Sequence, residues 1–197
     1  MRIIFQRVKE SHLDSVRKWR TSEEVTKYLY TDPAITKEDQ KKWHQLIMQD
    51  MTRMDWVINA DEKDVGVVYV YDINLLNRRC FWSYYLGERS TRGKGIGRAI
   101  ELNILRYVFE QLDLHKLCCE VFEWNDKVVK IHQKYGSRIE GVYRDHIWKG
   151  GGYHNIVCMG ILRQDWEQSV KDKFQYQHAE IEEWERKKED VLAHLSN

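Results

Sequence analysis

The stretch Arg92-Gly93-Lys94-Gly95-Ile96-Gly97 separates two apolar runs of different periodicity and decides how the surrounding chain folds. Before it, Cys80–Leu86 is rich in aromatic residues and predicts a strand. After it, apolar residues recur at helical spacing as far as Gln111 and predict a helix that begins beside the glycines. A glycine-rich turn at a helix N-terminus presents backbone N–H groups at the positive end of the helix dipole. Such a turn binds phosphate groups.

Two common phosphate-binding loops do not fit this stretch. In a Walker A loop four residues would separate the first glycine from Gly93-Lys94, but Gly87 is one position too far upstream, and Gly95 replaces the metal-binding hydroxyl. A dinucleotide fingerprint is spaced G-x-G-x-x-G, whereas Gly93, Gly95 and Gly97 are spaced G-x-G-x-G. A flexible turn without a ligand is the alternative for the glycines taken alone.

Length and composition indicate a single domain with a substantial core, since the chain has 197 residues and a net charge of +1. A nearly neutral chain gives no electrostatic reason to expect nucleic acid as a partner. No apolar run approaches the roughly 20 residues of a membrane helix. Met1–Glu10 alternates apolar and basic residues, which predicts a strand and not a signal peptide.

The four cysteines lie in apolar, strand-like runs and show no C-x-x-C spacing, so neither a zinc site nor a redox motif is predicted. They are Cys80, Cys118, Cys119 and Cys158. We expect buried, reduced thiols in a cytoplasmic protein.

The order of predicted elements indicates an α/β fold, with a mixed central sheet of about seven strands and helices on both faces. An N-terminal strand precedes a helix over Ser11–Tyr30 and a second helix capped by Thr36 with Asp39 in a capping box. The remaining predicted elements are strands at 56–58, 65–73, 80–86 and 116–122, a helix from Asn125 to Gly136, and a hairpin around 149–152.

The C-terminal segment differs in character, because apolar residues from Asp165 to Leu195 follow three-four spacing between charged faces. This pattern predicts one helix of roughly 30 residues, about 45 Å long. Trp166 and Trp184 would be costly to leave in water, so we expect the helix to dock on the domain or on a partner subunit, as in a homodimer. The predicted division is residues 1–163 and residues 164–197.

Two motifs give the chain a resemblance to a known family. The spacing R-x-x-G-x-G between the predicted fourth strand and a helix is the first. The second is Asn125, Val128, His132 and Gly136, which follow the pattern N-x-x-A-x-x-x-Y-x-x-x-G-F with Val128 at the alanine position, histidine in place of tyrosine and Ser137 in place of phenylalanine. Together they resemble the GNAT superfamily of acyl-CoA N-acyltransferases, over roughly residues 5–163.

The resemblance implies acetyl-CoA as the cosubstrate, no metal, and loop amides that bind the pyrophosphate of coenzyme A. It also implies a backbone N–H near Leu86 that polarises the thioester carbonyl, where the fourth and fifth strands splay. The expected cofactor-binding residues are Leu86, Arg92, Gly93, Lys94, Gly95, Ile96, Gly97 and Asn125.

More closely, the chain resembles the branch with ribosomal-protein and spermidine acetyltransferases, and within it the amino-sugar N-acetyltransferases of pseudaminic acid biosynthesis. The residues that carry this closer likeness are 19–20, 82–85, 114–117, 140–141 and 144–146. It implies a nucleotide-linked amino sugar as the acceptor of the acetyl group. The residues expected to line the acceptor pocket are Trp19, Arg20, Trp82, Tyr84 and His146. A protein N-terminus or a polyamine is the alternative acceptor, and a non-catalytic acyl-CoA-binding module is the alternative class.

The chemistry of acetyl transfer suggests candidate catalytic residues. The leaving thiolate has the basicity of an ordinary thiol, with a pKa of about 8.5, so a protonated histidine can serve it. His132 is the candidate acid, although its apolar stripe suits a core histidine equally well. A glutamate often found in relatives on the fourth strand is replaced by Phe81, which leaves Glu120 and Glu123 as candidate bases.

Overall fold

The computed structural model describes residues 1–88, 91, 93–184, 189–190 and 193. The strands are β1 (Ile3–Arg7), β2 (Met54–Ala60), β3 (Lys63–Asn74), β4 (Arg79–Leu86), β5 (Lys116–Phe122), β6 (Arg138–Lys149), β7 (Gly152–Leu162) and β8 (Glu180–Ile181). The helices are α1 (Leu13–Arg20), α2 (Glu23–Thr26), α3 (Lys37–Gln49), α4 (Ile96–Arg106), α5 (Asp126–Lys134) and α6 (Arg163–Ser169). A π-helical turn, Tyr107–Gln111, extends α4.

Within the described residues, eight strands form one mixed sheet in the order β6-β7-β5-β4-β3-β2-β1-β8. The predicted α/β fold with a mixed sheet is therefore confirmed, with one strand more than expected. In the same part of the chain, no helix is both long enough and apolar enough to cross a membrane.

The predicted helix over Ser11–Tyr30 is wrong in its length, because α1 ends at Arg20 and α2 is a separate short helix. Two side chains bond back to the last carbonyls of α1 and so end it. The Thr21 hydroxyl donates to the carbonyl of Arg17, and the Ser22 hydroxyl donates to the carbonyl of Trp19. Such local bonds compete with the helical ladder.

The predicted start of α3 is confirmed. Thr36 accepts a hydrogen bond from the backbone N–H of Asp39 at 3.1 Å, and the Asp39 carboxylate accepts from the backbone N–H of Thr36 at 3.0 Å. This reciprocal pair is the capping box expected from the sequence.

The two faces of the sheet bury separate apolar clusters. On one face, α4 and α5 cover the sheet, and Ile100 and Val129 pack with Trp82 of β4. On the other face, α1 and α3 cover it, and Val16 and Ile47 pack against the sheet. Side chains alternate along a strand, so neighbouring residues of β4 and β5 belong to opposite faces.

The parallel pairing of β4 with β5 stops partway along both strands. Across their described lengths, three residue pairs join them, from Arg79 with Lys116 to Phe81 with Cys118. Beyond that point β4 stays paired with β3 as far as Leu86, and β5 stays paired with β7 as far as Phe122. The sheet is therefore open between two strands that are each held from the outside.

The predicted long C-terminal helix is wrong. Among the described residues of this segment, α6 covers Arg163–Ser169, and Glu180–Ile181 forms β8, which pairs in parallel with β1. The apolar residues at three-four spacing do not form one helical stripe. Successive ones pack against different parts of the domain. Trp166 packs on Phe109, and Phe174 packs on Tyr135.

Asn103 of α4 fastens this C-terminal segment to the domain. It is fully buried, and its Nδ2 donates to the carbonyl of Gln177 at 2.8 Å and to that of Ala99 at 2.7 Å. Its Oδ1 accepts from the backbone N–H of Ala179 at 2.9 Å. One amide therefore satisfies two backbone groups of the segment that packs across α4.

We predict that Asn103→Leu lowers the free energy of unfolding by about 1–3 kcal/mol, because the buried N–H of Ala179 and the part-buried carbonyl of Gln177 lose their partner. Urea denaturation measures the change. Gln177→Ala is the matched control, since Asn103 bonds to the backbone of Gln177 and not to its side chain. Equal stability of the two variants would contradict the assigned role.

Candidate active site

A cavity of about 420 Å³ occupies the opening between β4 and β5. Its walls come from both strands, the glycine turn, α5 and the region of α2. Ten of the residues singled out from the sequence line it together: Trp82, Tyr84, Leu86, Gly93, Gly95, Ile96, Gly97, Glu120, Asn125 and His132. We call this cavity the cleft.

Three other predicted site residues lie outside the cleft, and each makes a defined contact elsewhere. Trp19 is buried, and its Nε1 donates to a carboxylate oxygen of Glu88 at 2.8 Å. The Glu123 side chain is exposed and accepts from Nδ2 of Asn155 at 2.9 Å. His146 is exposed, with its ring 4.9 Å from that of Tyr143.

The three predicted cations have different outcomes. Lys94 is exposed beside the glycine turn and does not line the cleft, and Arg92 lies outside the described residues. A third, Arg20, donates to the hydroxyl of Thr31 at 2.7 Å and lines a second cavity of about 430 Å³ on the α1–α3 face of the sheet. Tyr85 lines both cavities, so the second one adjoins the cleft.

The glycine turn has the backbone geometry of an anion cradle. Gly93 and Gly95 both have φ +79°, in the left-handed region that favours glycine, and no described atom lies within 4 Å of the Cβ that either one lacks. Gly95 is the N-cap of α4, and no described side chain caps this helix. Within the described residues, its first N–H groups therefore have no side-chain partner, as an anion-binding helix N-terminus requires.

His132 and Glu101 form a buried ion pair at the floor of the cleft. Nδ1 of His132 lies 2.9 Å from Oε1 of Glu101, and the two side chains are 6% and 2% exposed. The ring N–H is not aligned on the oxygen, so the contact is an ion pair and not a well-formed hydrogen bond. The His132 ring also meets Trp82 edge-on, with centroids 5.4 Å apart.

The surroundings of His132 favour its protonated form. Burial alone would lower the pKa of His132, but the Glu101 carboxylate and the Cys119 thiol together hold that pKa well above its ordinary value. At neutral pH the His132 side chain that lines the cleft is therefore an imidazolium.

Glu101 was missed from the sequence, although a signal for it exists. The run Ala99–Leu105 is apolar except for Glu101 and Asn103, and α4 is buried on nearly all sides. Charged groups in a fully buried helix need partners, so such a residue is a candidate for a polar site.

The opposite side of the cleft carries a carboxylate among aromatic rings. Glu120 accepts a hydrogen bond from the hydroxyl of Tyr30 at 2.9 Å, and burial and this bond raise the pKa of Tyr30. The ring of Phe122 lies 5.5 Å from that of Tyr30 and 5.1 Å from that of Trp124. Glu24, Tyr28 and Phe122 line the same side of the cleft.

The arrangement therefore places three chemical functions in one cavity. An anion cradle lies at the N-terminus of α4, a protonated imidazole lies at the floor, and carboxylates with aromatic rings lie on the α1–α3 side. No cluster of three or more potential metal ligands occurs among the described residues.

Comparison with known proteins places this architecture in a family. Residues 2–138 match the family model described as an acetyltransferase (GNAT) domain. The chain is 30% identical over 111 residues to the SPbeta prophage-derived uncharacterized N-acetyltransferase YokL of Bacillus subtilis, with 56% of this chain and 62% of that protein covered. The match thus spans less than two thirds of the length of the first curated relatives.

Two further likenesses concern proteins with named activities. The chain is 24% identical to the acetyltransferase PseH of Campylobacter jejuni, over 66% of this chain and 79% of that protein. The crystal structure of spermidine N-acetyltransferase from Vibrio cholerae, in complex with CoA and spermine, superposes with a TM-score of 0.80 at 20% identity, covering 85% of this chain and 99% of that one. At this identity the structural match shows the fold.

We predict that Glu101→Gln lowers the pKa of His132 below the ordinary value of about 6.5, because burial remains while the counter-ion is lost. NMR titration of the histidine ring signals measures this, with the other histidines as internal controls. The His132–Glu101 ion pair contributes its full stabilisation at pH values below the ordinary histidine pKa. This contribution is lost as the pH rises through the raised pKa of His132 in the folded state. An unchanged titration of His132 would contradict the assignment.

Proposed function

The chain belongs to the GNAT acetyltransferase family, and from that premise we propose that it transfers an acetyl group from acetyl-CoA to the primary amine of a small molecule. The observation that carries the proposal is the cleft itself. A helix N-terminus that no described side chain caps and a glutamate carboxylate line one cavity at the open end of a parallel strand pair.

The residues present fit acetyl-CoA as cosubstrate. The backbone N–H groups of Gly95, Ile96 and Gly97 would hold its pyrophosphate, with the charge of Lys94 nearby. The unpaired edge of β4 would hold the pantetheine arm as an added strand, and a backbone N–H near Leu86 would polarise the carbonyl. Asn125 stands at the start of α5, beside the same cleft. The cosubstrate supplies an activated thioester.

His132 would act as the acid that gives a proton to the departing thiolate. Its raised pKa keeps the imidazole protonated at neutral pH, and the Trp82 ring against it limits its orientation. Glu101 would then be a positioning residue, which holds the charge of His132 without touching the substrate.

The charge of the acceptor side favours a cationic amine of the polyamine type. Glu24 and Glu120 line this side together with Tyr28 and Phe122, and among the described lining residues Lys127 of α5 is the single lysine or arginine. Carboxylates and aromatic faces both attract ammonium groups. Glu120 would take the proton that the amine must lose.

A nucleotide-linked amino sugar is the second candidate acceptor, and the second cavity supports it. Arg20 lines that cavity, which meets the cleft at Tyr85, and a guanidinium matches the geometry of a diphosphate. The likeness to PseH points in the same direction. A protein N-terminus is a further alternative that no contact in the cleft favours over these two.

We also propose that residues 1–163 form the acetyltransferase domain and that residues 164–197 are an addition docked on it. The described part of that addition packs on α4 and pairs with β1. Cytoplasmic location and assembly as a homodimer stay predictions.

We predict that acetyl-CoA at about 100 times its dissociation constant raises the free energy of unfolding by about 2.7 kcal/mol, and that Gly95→Ala largely removes this gain. Chemical denaturation with and without acetyl-CoA measures both. Gly150→Ala is the matched control, because Gly150 also has a positive φ and open space around it but lies in the β6–β7 turn. Equal losses in both variants would contradict the cradle.

We predict that spermidine is acetylated in preference to UDP-amino sugars and N-terminal peptides, and that Glu120→Gln lowers kcat/KM by about a hundredfold. Glu123→Gln is the matched control, since Glu123 bonds to Asn155 outside the cleft. Turnover of a UDP-amino sugar alone would favour the second candidate. Acetyl-CoA binding without turnover of any amine would contradict catalysis.

A further inference from the structure

Tyr30 lies in residues 27–36, which join α2 to α3 without forming a helix or a strand. Its hydroxyl donates a hydrogen bond to Oε2 of Glu120 at 2.9 Å. The Glu120 side chain lines the cleft, but Tyr30 is not one of the described residues that line it. Tyr30 therefore contacts the proposed base without lining the space that an amine would fill.

The two residues that follow Tyr30 are fixed by other elements. Arg20 of α1 donates to the hydroxyl of Thr31 at 2.7 Å, and Lys149 of β6 forms an ion pair with Asp32. The Lys149 side chain is largely buried, so this pair is not a fully solvated surface contact. A segment without regular structure is thus held at successive residues, which limits the positions that the Tyr30 hydroxyl can take.

The surroundings of Tyr30 keep its hydroxyl protonated. Burial, followed by the hydrogen bond with Glu120, raises the pKa of Tyr30. The ring of Phe122 also lies edge-on against that of Tyr30, with centroids 5.5 Å apart. Because the hydroxyl keeps its proton at neutral pH, Tyr30 donates to the carboxylate and does not itself act as a base.

The hydrogen bond makes the two oxygens of Glu120 unequal. Oε2 accepts from Tyr30, whereas none of the described residues donates to Oε1. A base must lie within hydrogen-bond reach of the proton that it takes, and a misplacement of about 1 Å can cost about a hundredfold in rate. A carboxylate that is held by one oxygen presents the other at a defined position on the cleft wall.

We propose that Tyr30 is a positioning residue for acetyl transfer, which holds Glu120 so that Oε1 takes the proton of the amine. The inference rests on the proposed function, because it assigns a support to the base named there. In the step, the amine nitrogen bonds to the carbonyl carbon, and its proton moves to Oε1 of Glu120. The bond from that carbon to the sulfur of coenzyme A breaks, and the sulfur takes the proton of His132. Tyr30 keeps its own proton throughout.

The first test measures steady-state acetylation of spermidine, or of a UDP-amino sugar if that is the amine turned over, by the full chain and by Tyr30→Phe. We expect kcat to fall about tenfold, because the base remains but is misplaced, with KM for the amine unchanged. Tyr153→Phe is the matched control, since it also loses a hydroxyl but its exposed ring lies beside Trp148. An unchanged kcat, or a loss confined to KM, overturns the inference.

A second measurement shows whether Tyr30 acts through Glu120. In the Glu120→Gln background, Tyr30→Phe should lower kcat by less than about twofold further, because residues that act as a unit are not additive. Coenzyme A should raise the melting temperature of all these variants equally. Equal losses of kcat in both backgrounds, as a disturbed fold would cause, overturn the inference.

Failure of this inference is distinguishable from failure of the proposed function. Amine acetylation by the unaltered chain, with the same kcat in Tyr30→Phe, overturns the positioning role and leaves the proposed function standing. Binding of acetyl-CoA to the unaltered chain without turnover of any amine overturns the proposed function, and the role of Tyr30 with it.

Discussion

The early end of the β4–β5 pairing is the constraint on which the rest of the site depends. Backbone N–H and C=O groups that leave a ladder inside a sheet need other partners. Here β3 holds β4 and β7 holds β5, so the gap between β4 and β5 stays open. Trp19 also helps to fix the chain after β4. Its ring packs so closely on Gly87 that a Cβ there would lie 2.1 Å from it. The opening is thus built into the packing on both sides.

The buried pair of His132 and Glu101 is better explained by the cleft than by stability. A buried ion pair stabilises a fold little more than apolar residues of the same volume would, because desolvation offsets the attraction. The pair nevertheless stands at the floor of the one opening in the sheet that the described residues form, with the Trp82 ring edge-on against the imidazole. Its main consequence is an imidazole that keeps its proton where a thiolate would depart.

The elements that the sequence predicts correctly are those determined by local patterns. The capping box of Thr36 and Asp39, the strand over Lys116–Phe122 and the glycine turn before α4 each depend on a few neighbouring residues. The long C-terminal helix fails because three-four spacing does not reveal which surface each apolar residue meets. Glu101 is missed for a related reason, since only its packing against His132 shows that it lies opposite a cation.

The acceptor residues were harder to predict because the sequence does not show which face of the sheet each strand residue lies on. Trp82 and Tyr84 lie on the face of α4 and α5, and Gly97 approaches the Tyr84 hydroxyl there. The residues between and after them alternate to the α1–α3 face, which Glu120 shares.

On that face Tyr30 occupies Oε2 of Glu120, whereas a carboxylate offers about four lone-pair positions. The remaining positions of Glu120 are therefore available to a proton from an amine in the cleft. Under the proposed function, an amine that enters as an ammonium ion would meet negative charge and aromatic faces before the imidazolium of His132 on the far side. In the proposed reaction the polarity of the cleft would thus order the reactants, with the cation on one face and the departing thiolate on the other.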